Sequence, residues 1–209
     1  MNVEYNSPVA AASSPLPVHP PPPDEEQRLL LSNVSWSAYV AMNDAVASPG
    51  VRMTYLEGWL EIMTPSRRHE VGKTQVARLL ELFCLERDIP LFGYGQMTLR
   101  REESHRGLEP DECYARGGDK AVPDLALEVV VSRPLIDRLH VYSALGVREV
   151  WVFEDGGFRV FQLRGGGYEP IPRSEVLPEI DLVRLARFAN EADQHAAVRA
   201  YRDEIRREG

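Results

Sequence analysis

A chain of 209 residues, 44% hydrophobic and 27% charged, has room for one domain with a real core plus tails. Its net charge of −8 weighs against tight non-specific binding to nucleic acid, because that affinity comes from neutralising phosphates, yet it suits an enzyme whose acids serve a cation. The two cysteines exclude a disulfide framework or thiolate metal site, no apolar run reaches the ~20 residues of a membrane helix, and the N-terminus lacks a secretory pattern, so a cytoplasmic location is expected.

Residues 1–26 are proline-rich, with Pro20 to Pro23 followed by Asp24-Glu25-Glu26. Such a segment buries too little apolar surface to fold, and a disordered leader is expected over 1–30. The folded domain is expected over 31–190 and a C-terminal helix over 191–209. Ser35 can cap a short helix carrying Trp36, Tyr39, Val40 and Met42. A hairpin follows, Arg52 to Tyr55 and Trp59 to Met63, turning at Glu57-Gly58. Thr64-Pro65-Ser66 opens a long helix through about Arg87, with Val76, Leu79, Leu80 and Phe83 at helical spacing and Pro90 as its stop.

From Leu91 the period becomes that of strands, with candidates at 92–101, 110–115 and the apolar 125–131. A short helix from Pro134 to about Leu145 follows, Pro134 suiting the first turn and Gly146 the C-cap. Val150 to Phe153 and Phe158 to Phe161 form a hairpin across Asp155-Gly156-Gly157, and residues 181–189 and 191–207 close the chain as helices. A strand apolar on both faces, 125–131, implies a mixed sheet covered by helices on both sides, an α/β (α+β) class.

Asp111, Asp124 and Glu128 interrupt strand-like contexts. Glu128 is the sharpest, since an ionised carboxylate inside Leu125 to Val131 needs a partner, either a cation or an arginine. Asp124 and Glu128 share one side of a strand but stand about 13 Å apart at roughly 3.3 Å per residue, too far to grip one ion. A neighbouring strand runs roughly 4.8 Å away, and Asp111 fits that place. An Asp and a Glu so arranged can hold Mg²⁺ for phosphodiester hydrolysis, with the Val129 carbonyl and Glu70 as possible further ligands. The plainer readings stay open: Asp111 and Asp124 as turn residues, Glu128 paired to an arginine, Glu70 favouring a helix N-terminus, His69 an ordinary helix-start histidine.

Four stretches carry a resemblance: Tyr55 to Ser66 with His69-Glu70; Glu109-Pro110-Asp111-Glu112; Pro123-Asp124-Leu125-Ala126-Leu127-Glu128-Val129-Val130; and Tyr142 to Val147 with Glu149-Val150-Trp151. In order and spacing they resemble the bacterial putative restriction-endonuclease family of the PD-(D/E)XK nucleases. The resemblance implies a restriction-endonuclease-like core with a helix-flanked mixed sheet, an N-terminal helix and a β-hairpin. It further implies Mg²⁺ or Mn²⁺, DNA as substrate, and a homodimer. Asp111 matches the family's strand aspartate, Glu128 its acid, Glu70 the acid of the first core helix, and His69 accompanies Glu70. The motif's lysine position is Val130, and the alternative position on the next helix is Arg138. Arginine orients phosphate but does not release its proton as lysine can. Two lysines among 24 basic residues make the exchange a chain-wide habit, and Lys120 is a remote substitute for the amine. The second functional class, a catalytically impaired binding or scaffold module, follows if Arg138 pairs with Glu128 in place of a metal. Alanine at Asp111 or Glu128 is expected to abolish cleavage with the fold largely intact.

Overall fold

The computed structural model describes residues 25–46 and 50–208. Its elements are β1 (Gln27–Leu31), α1 (Trp36–Val46), β2 (Arg52–Leu56), β3 (Trp59–Thr64) and α2 (Arg67–Glu86). Then come β4 (Leu91–Gly95), β5 (Leu99–Arg101), a 3-10 turn at Glu102–Ser104, β6 (Arg106–Leu108), β7 (Glu112–Arg116) and β8 (Leu125–Val130). The chain closes with α3 (Arg138–Leu145), β9 (Glu149–Glu154), β10 (Gly157–Arg164), β11 (Gly167–Ile171), α4 (Leu182–Ala189) and α5 (Gln194–Glu208).

Two sheets result. The smaller is antiparallel throughout, in the order β1-β3-β2-β6-β5. The larger, β11-β10-β9-β8-β7-β4, is mixed because β8 and β9 run parallel while its other pairs are antiparallel. The parallel step needs a crossover, and α3 supplies it. Alternation along β8 sends Leu125, Leu127 and Val129 into a core with Val76, Leu79 and Phe83 of α2 and Leu185 and Tyr201 of α4 and α5. Ala126 faces the other way, into a second core with Val141, Tyr142 and Leu145 of α3 and Leu99 and Leu108 of the small sheet. The central strands are therefore covered on both faces, as their apolar sequence requires. Tyr39 of α1 stacks on Tyr55, sealing the far side of the small sheet.

The local signals for α1, the β2–β3 hairpin, α2 and β8 have the expected outcome. Ser35 Oγ accepts from the Ala38 amide at 3.1 Å, Ser66 Oγ from the His69 amide at 3.1 Å, and Gly146 closes α3 at φ 82°, a conformation that favours glycine.

Three expectations need correction. Most of the leader, residues 1–24, lies outside the described residues, but Gln27–Leu31 form β1 against β3, so order begins inside the stretch assigned to 1–30. The run 92–101 is two strands in two different sheets, because Gly95 at φ 62° and a register shift between Gly93 and Gly95 end the pairing with β7. The helix expected from Pro134 starts at Arg138, since Asp137 caps it by accepting from the Leu139 and His140 amides at 3.0 and 3.4 Å. Upstream, Glu61 accepts the Leu135 and Ile136 amides, each at 2.9 Å, and holds that segment as a loop. β6 and β11 were not anticipated.

Candidate active site

The register Glu112–Leu127, extended one residue beyond the ladder, sets Asp111 opposite Glu128. Both are buried, at 3% and 5% exposure. Asp111 leads into β7 and is fixed by its neighbour: Glu109 Oε2 accepts the Met53 amide at 3.2 Å and Glu109 Oε1 accepts from Asn43 at 3.0 Å. The segment is thereby tied to β2 and α1.

Asp111 Oδ2 accepts from the Val129 amide at 2.8 Å and lies 3.1 Å from His69 Nε2. Its Oδ1 is 3.8 Å from the Nε of Arg52, itself only 2% exposed. Burial pushes the Asp111 carboxyl up, but the His69 hydrogen bond and charge, Arg138 and the Val129 amide outweigh it and hold the group below the usual range. Burial pulls His69 down in turn, and Asp111, Glu26 and Glu70 outweigh it, so its imidazole titrates above its ordinary value.

Glu128 lies on the opposite electrostatic footing. Burial, the largest influence, raises its carboxyl, Arg138 opposes, and Asp111 adds to the rise. Its Oε1 accepts from Arg138 at 2.7 Å and from the Tyr142 hydroxyl. Among the described residues Oε2 accepts no hydrogen bond, and Glu128 lines a cavity of about 590 Å³ shared with Arg138 and Tyr142. Arg138 makes three hydrogen bonds from its tips: Nη1 donates to Thr54 Oγ1 at 2.9 Å, and Nη2 to the Glu109 carbonyl at 2.7 Å as well as to Glu128. Two carboxylates with pKa values driven apart are a pattern common at functional sites.

Glu70 is less central. Its side chain is 40% exposed and turns to Lys73 at 2.7 Å and Arg52 at 3.4 Å. Asp124 is elsewhere, capping the far end of β8 by accepting the Arg116 amide at 2.9 Å and Lys120 Nζ at 2.6 Å. Lys120 therefore has its own partner at the opposite end of the strand from Glu128. Among the described residues no group of three or more His, Cys, Asp or Glu side chains is placed to hold a metal ion. The centre thus brings together Asp111, Glu128, Arg138, His69 and Val129, with Glu70 at its edge.

Three participants were missed in the sequence: Arg52, Tyr142 as a donor to Glu128, and Lys73. Arg52 opens β2 like any surface strand residue, and only tertiary packing buries it. Tyr142 and Lys73 did carry a signal. Each lies four residues from a site residue, Arg138 and His69 respectively, on the same helix face.

A sequence model of the family described as Uma2, putative restriction endonuclease, matches residues 36–190. Among solved structures the chain is similar to a putative nuclease belonging to DUF820 from Anabaena variabilis. The identity is 15% and the TM-score 0.41, covering 66% of this chain and 90% of that one. No curated protein matches.

Proposed function

The chain belongs to the putative restriction endonuclease family, and from that premise we propose a metal-dependent DNA endonuclease centred on Asp111 and Glu128. One observation carries the reading: two buried carboxylates converge from adjacent strands at one end of the mixed sheet. Water is scarce there, so charge placed on a substrate phosphate would be felt strongly.

The donor set fits Mg²⁺ or Mn²⁺. Mg²⁺ keeps several waters and needs only one or two carboxylates, so a third acid is not demanded. Asp111 and Glu128 would hold the ion, with the Val129 carbonyl and Glu70 as further oxygen donors, and among the described residues Glu128 Oε2 accepts no hydrogen bond. When bound, the ion supplies an acidified water and a counter-charge for the phosphate. The chain's own residues do the rest. His69 and the Val129 amide fix Asp111 in its ionised form. Arg138 carries a permanent charge that can orient a phosphate oxygen, and Tyr142 keeps a proton against Glu128 Oε1.

Nicking of supercoiled plasmid in Mg²⁺ or Mn²⁺ tests this. Asp111→Asn and Glu128→Gln are each expected to lose at least ~100-fold in rate, on the order of an electrostatic catalytic group. Undiminished nicking in both variants overturns the assignment. Glutamine is preferable to alanine at Glu128, because alanine leaves the buried Arg138 without its counter-charge.

A second reading rests on the same ion pair. Arg138 already neutralises Glu128 at 2.7 Å, as it would in a binding or scaffold module that dispenses with the metal. Calorimetry with Mg²⁺ and Mn²⁺ separates the two: no heat of binding at millimolar metal supports the scaffold.

A further inference from the structure

The cavity that Glu128 lines is also walled by residues outside the carboxylate centre. Its volume is about 590 Å³, and its lining is mixed: Val130, Val152 and Phe161 share the sheet face with Arg159; Arg133 and Arg138 add further cations; and the acids Asp137 and Glu154 line it as well. Leu135 is 52% exposed, a large apolar side chain left at the rim. Arg133 is exposed and has no ion-pair partner among the described residues, so its charge is available to a ligand. Arg159 pairs with Glu154 at 2.5 Å, and its guanidinium carbon lies 5.7 Å from the centre of the Phe161 ring. A flat aromatic ring with a guanidinium over it is a surface on which a planar aromatic ligand can stack.

A space of about 590 Å³ is of the size that takes one small ligand, and a single nucleotide offers a flat face for Phe161 and a phosphate for Arg133. Glu128 lines the same space. We propose that this cavity binds one unpaired nucleotide next to the scissile phosphate, its base against Phe161 and its flanking phosphate on Arg133. The inference rests on the nuclease reading and narrows its substrate to single-stranded DNA, or to duplexes with a flap or a flipped base. Extruding a paired base costs unstacking and unpairing energy, so an intact duplex is the poorer substrate.

Two measurements test it together: binding of a single-stranded oligonucleotide containing 2-aminopurine, read by fluorescence, and cleavage of matched single-stranded and duplex oligonucleotides. The full chain is expected to quench 2-aminopurine on binding and to cut the single strand faster. Phe161→Ala should weaken single-strand affinity by roughly tenfold, within the range of one missing base stack. Arg133→Ala, at a solvent-accessible position where misfolding is not a concern, should weaken it several-fold without abolishing the quench. Equal cleavage of single strand and duplex, with both variants binding as the wild type does, overturns the cavity assignment and leaves the nuclease reading standing. Quenching that both variants weaken, in a protein that cuts neither substrate, refutes the nuclease reading and keeps the cavity as a nucleotide site. No binding and no cleavage by the wild type overturns both.

Discussion

Arg138 spends its guanidinium on three acceptors contributed by three segments: Thr54 of β2, the Glu109 carbonyl and Glu128 of β8. Only a planar fork satisfies them at once, and a lysine would reach one or two. Removing the charge is expected to be costly because Glu128 is left buried and unpaired. Arg138→Met should lower stability by about 3–5 kcal/mol, measured as a shift in the urea midpoint. In Glu128→Leu/Arg138→Met, where neither charge remains, much of that loss should return. A double variant no more stable than the worse single would show that packing, not the ion pair, sets the cost. His69 supplies a second residue-scale test. Its folded pKa lies above the 6.5 of the free side chain, so its bond to Asp111 stabilises the fold fully below pH 6.5 and loses that effect as pH rises through the higher folded value. The melting-temperature gap between wild type and His69→Gln should therefore narrow from pH 6 toward pH 9. A gap that stays constant over that range contradicts the charged pairing.

At the scale of elements, α3 shows which boundaries a sequence can announce. Pro134 is a plausible first-turn residue, but the amides that follow it are taken by Glu61 from a strand more than seventy positions earlier, which only the folded chain reveals. Asp137 is the true cap, and it sets the helix phase that points Arg138 and Tyr142 at Glu128. Asp137→Ala is expected to cost about 1 kcal/mol, the usual worth of a side-chain cap. Pro134→Ala should cost clearly less in the same urea titration, and the reverse order would restore Pro134 as the helix start. The elements that were legible carried their information locally: Ser66 before α2, Glu57-Gly58 between β2 and β3, the apolar run of β8. Those that were not depended on distant partners. β1 follows a proline-rich segment and is a strand because β3 offers it an edge, and the break between β4 and β5 is a change of sheet that alternation cannot show. The site divides the same way. Strand spacing selects Asp111 over Asp124 as the partner of Glu128, whereas the burial of Arg52 and the three-way grip of Arg138 are tertiary facts.

On the scale of the whole molecule, a net charge of −8 must be reconciled with a polyanionic substrate. Many arginines are already committed to carboxylates, as in the Arg206–Glu86, Arg187–Glu204 and Arg116–Glu179 pairs, and attract little from outside. Arg67 and Arg68 differ. They are exposed in the first turn of α2, beside His69, and among the described residues neither has an ion-pair partner. That is the wrong end of a helix for a cation, costing typically about 0.3–1 kcal/mol each against the backbone dipole. A position that is poor for the fold but adjacent to the carboxylate centre suits an approach by phosphate. The two roles predict opposite signs for one variant. Arg67→Ala/Arg68→Ala should be slightly more stable than wild type in urea, by up to ~1 kcal/mol. It should also bind DNA more weakly at low salt, and the slope of log K against log salt should become shallower by roughly 0.9 for each phosphate that is no longer neutralised. Unchanged affinity with an unchanged slope would remove these arginines from the substrate path. Arg133, exposed at the cavity and without an ion-pair partner among the described residues, would then be the next candidate for the attraction that offsets the overall negative charge.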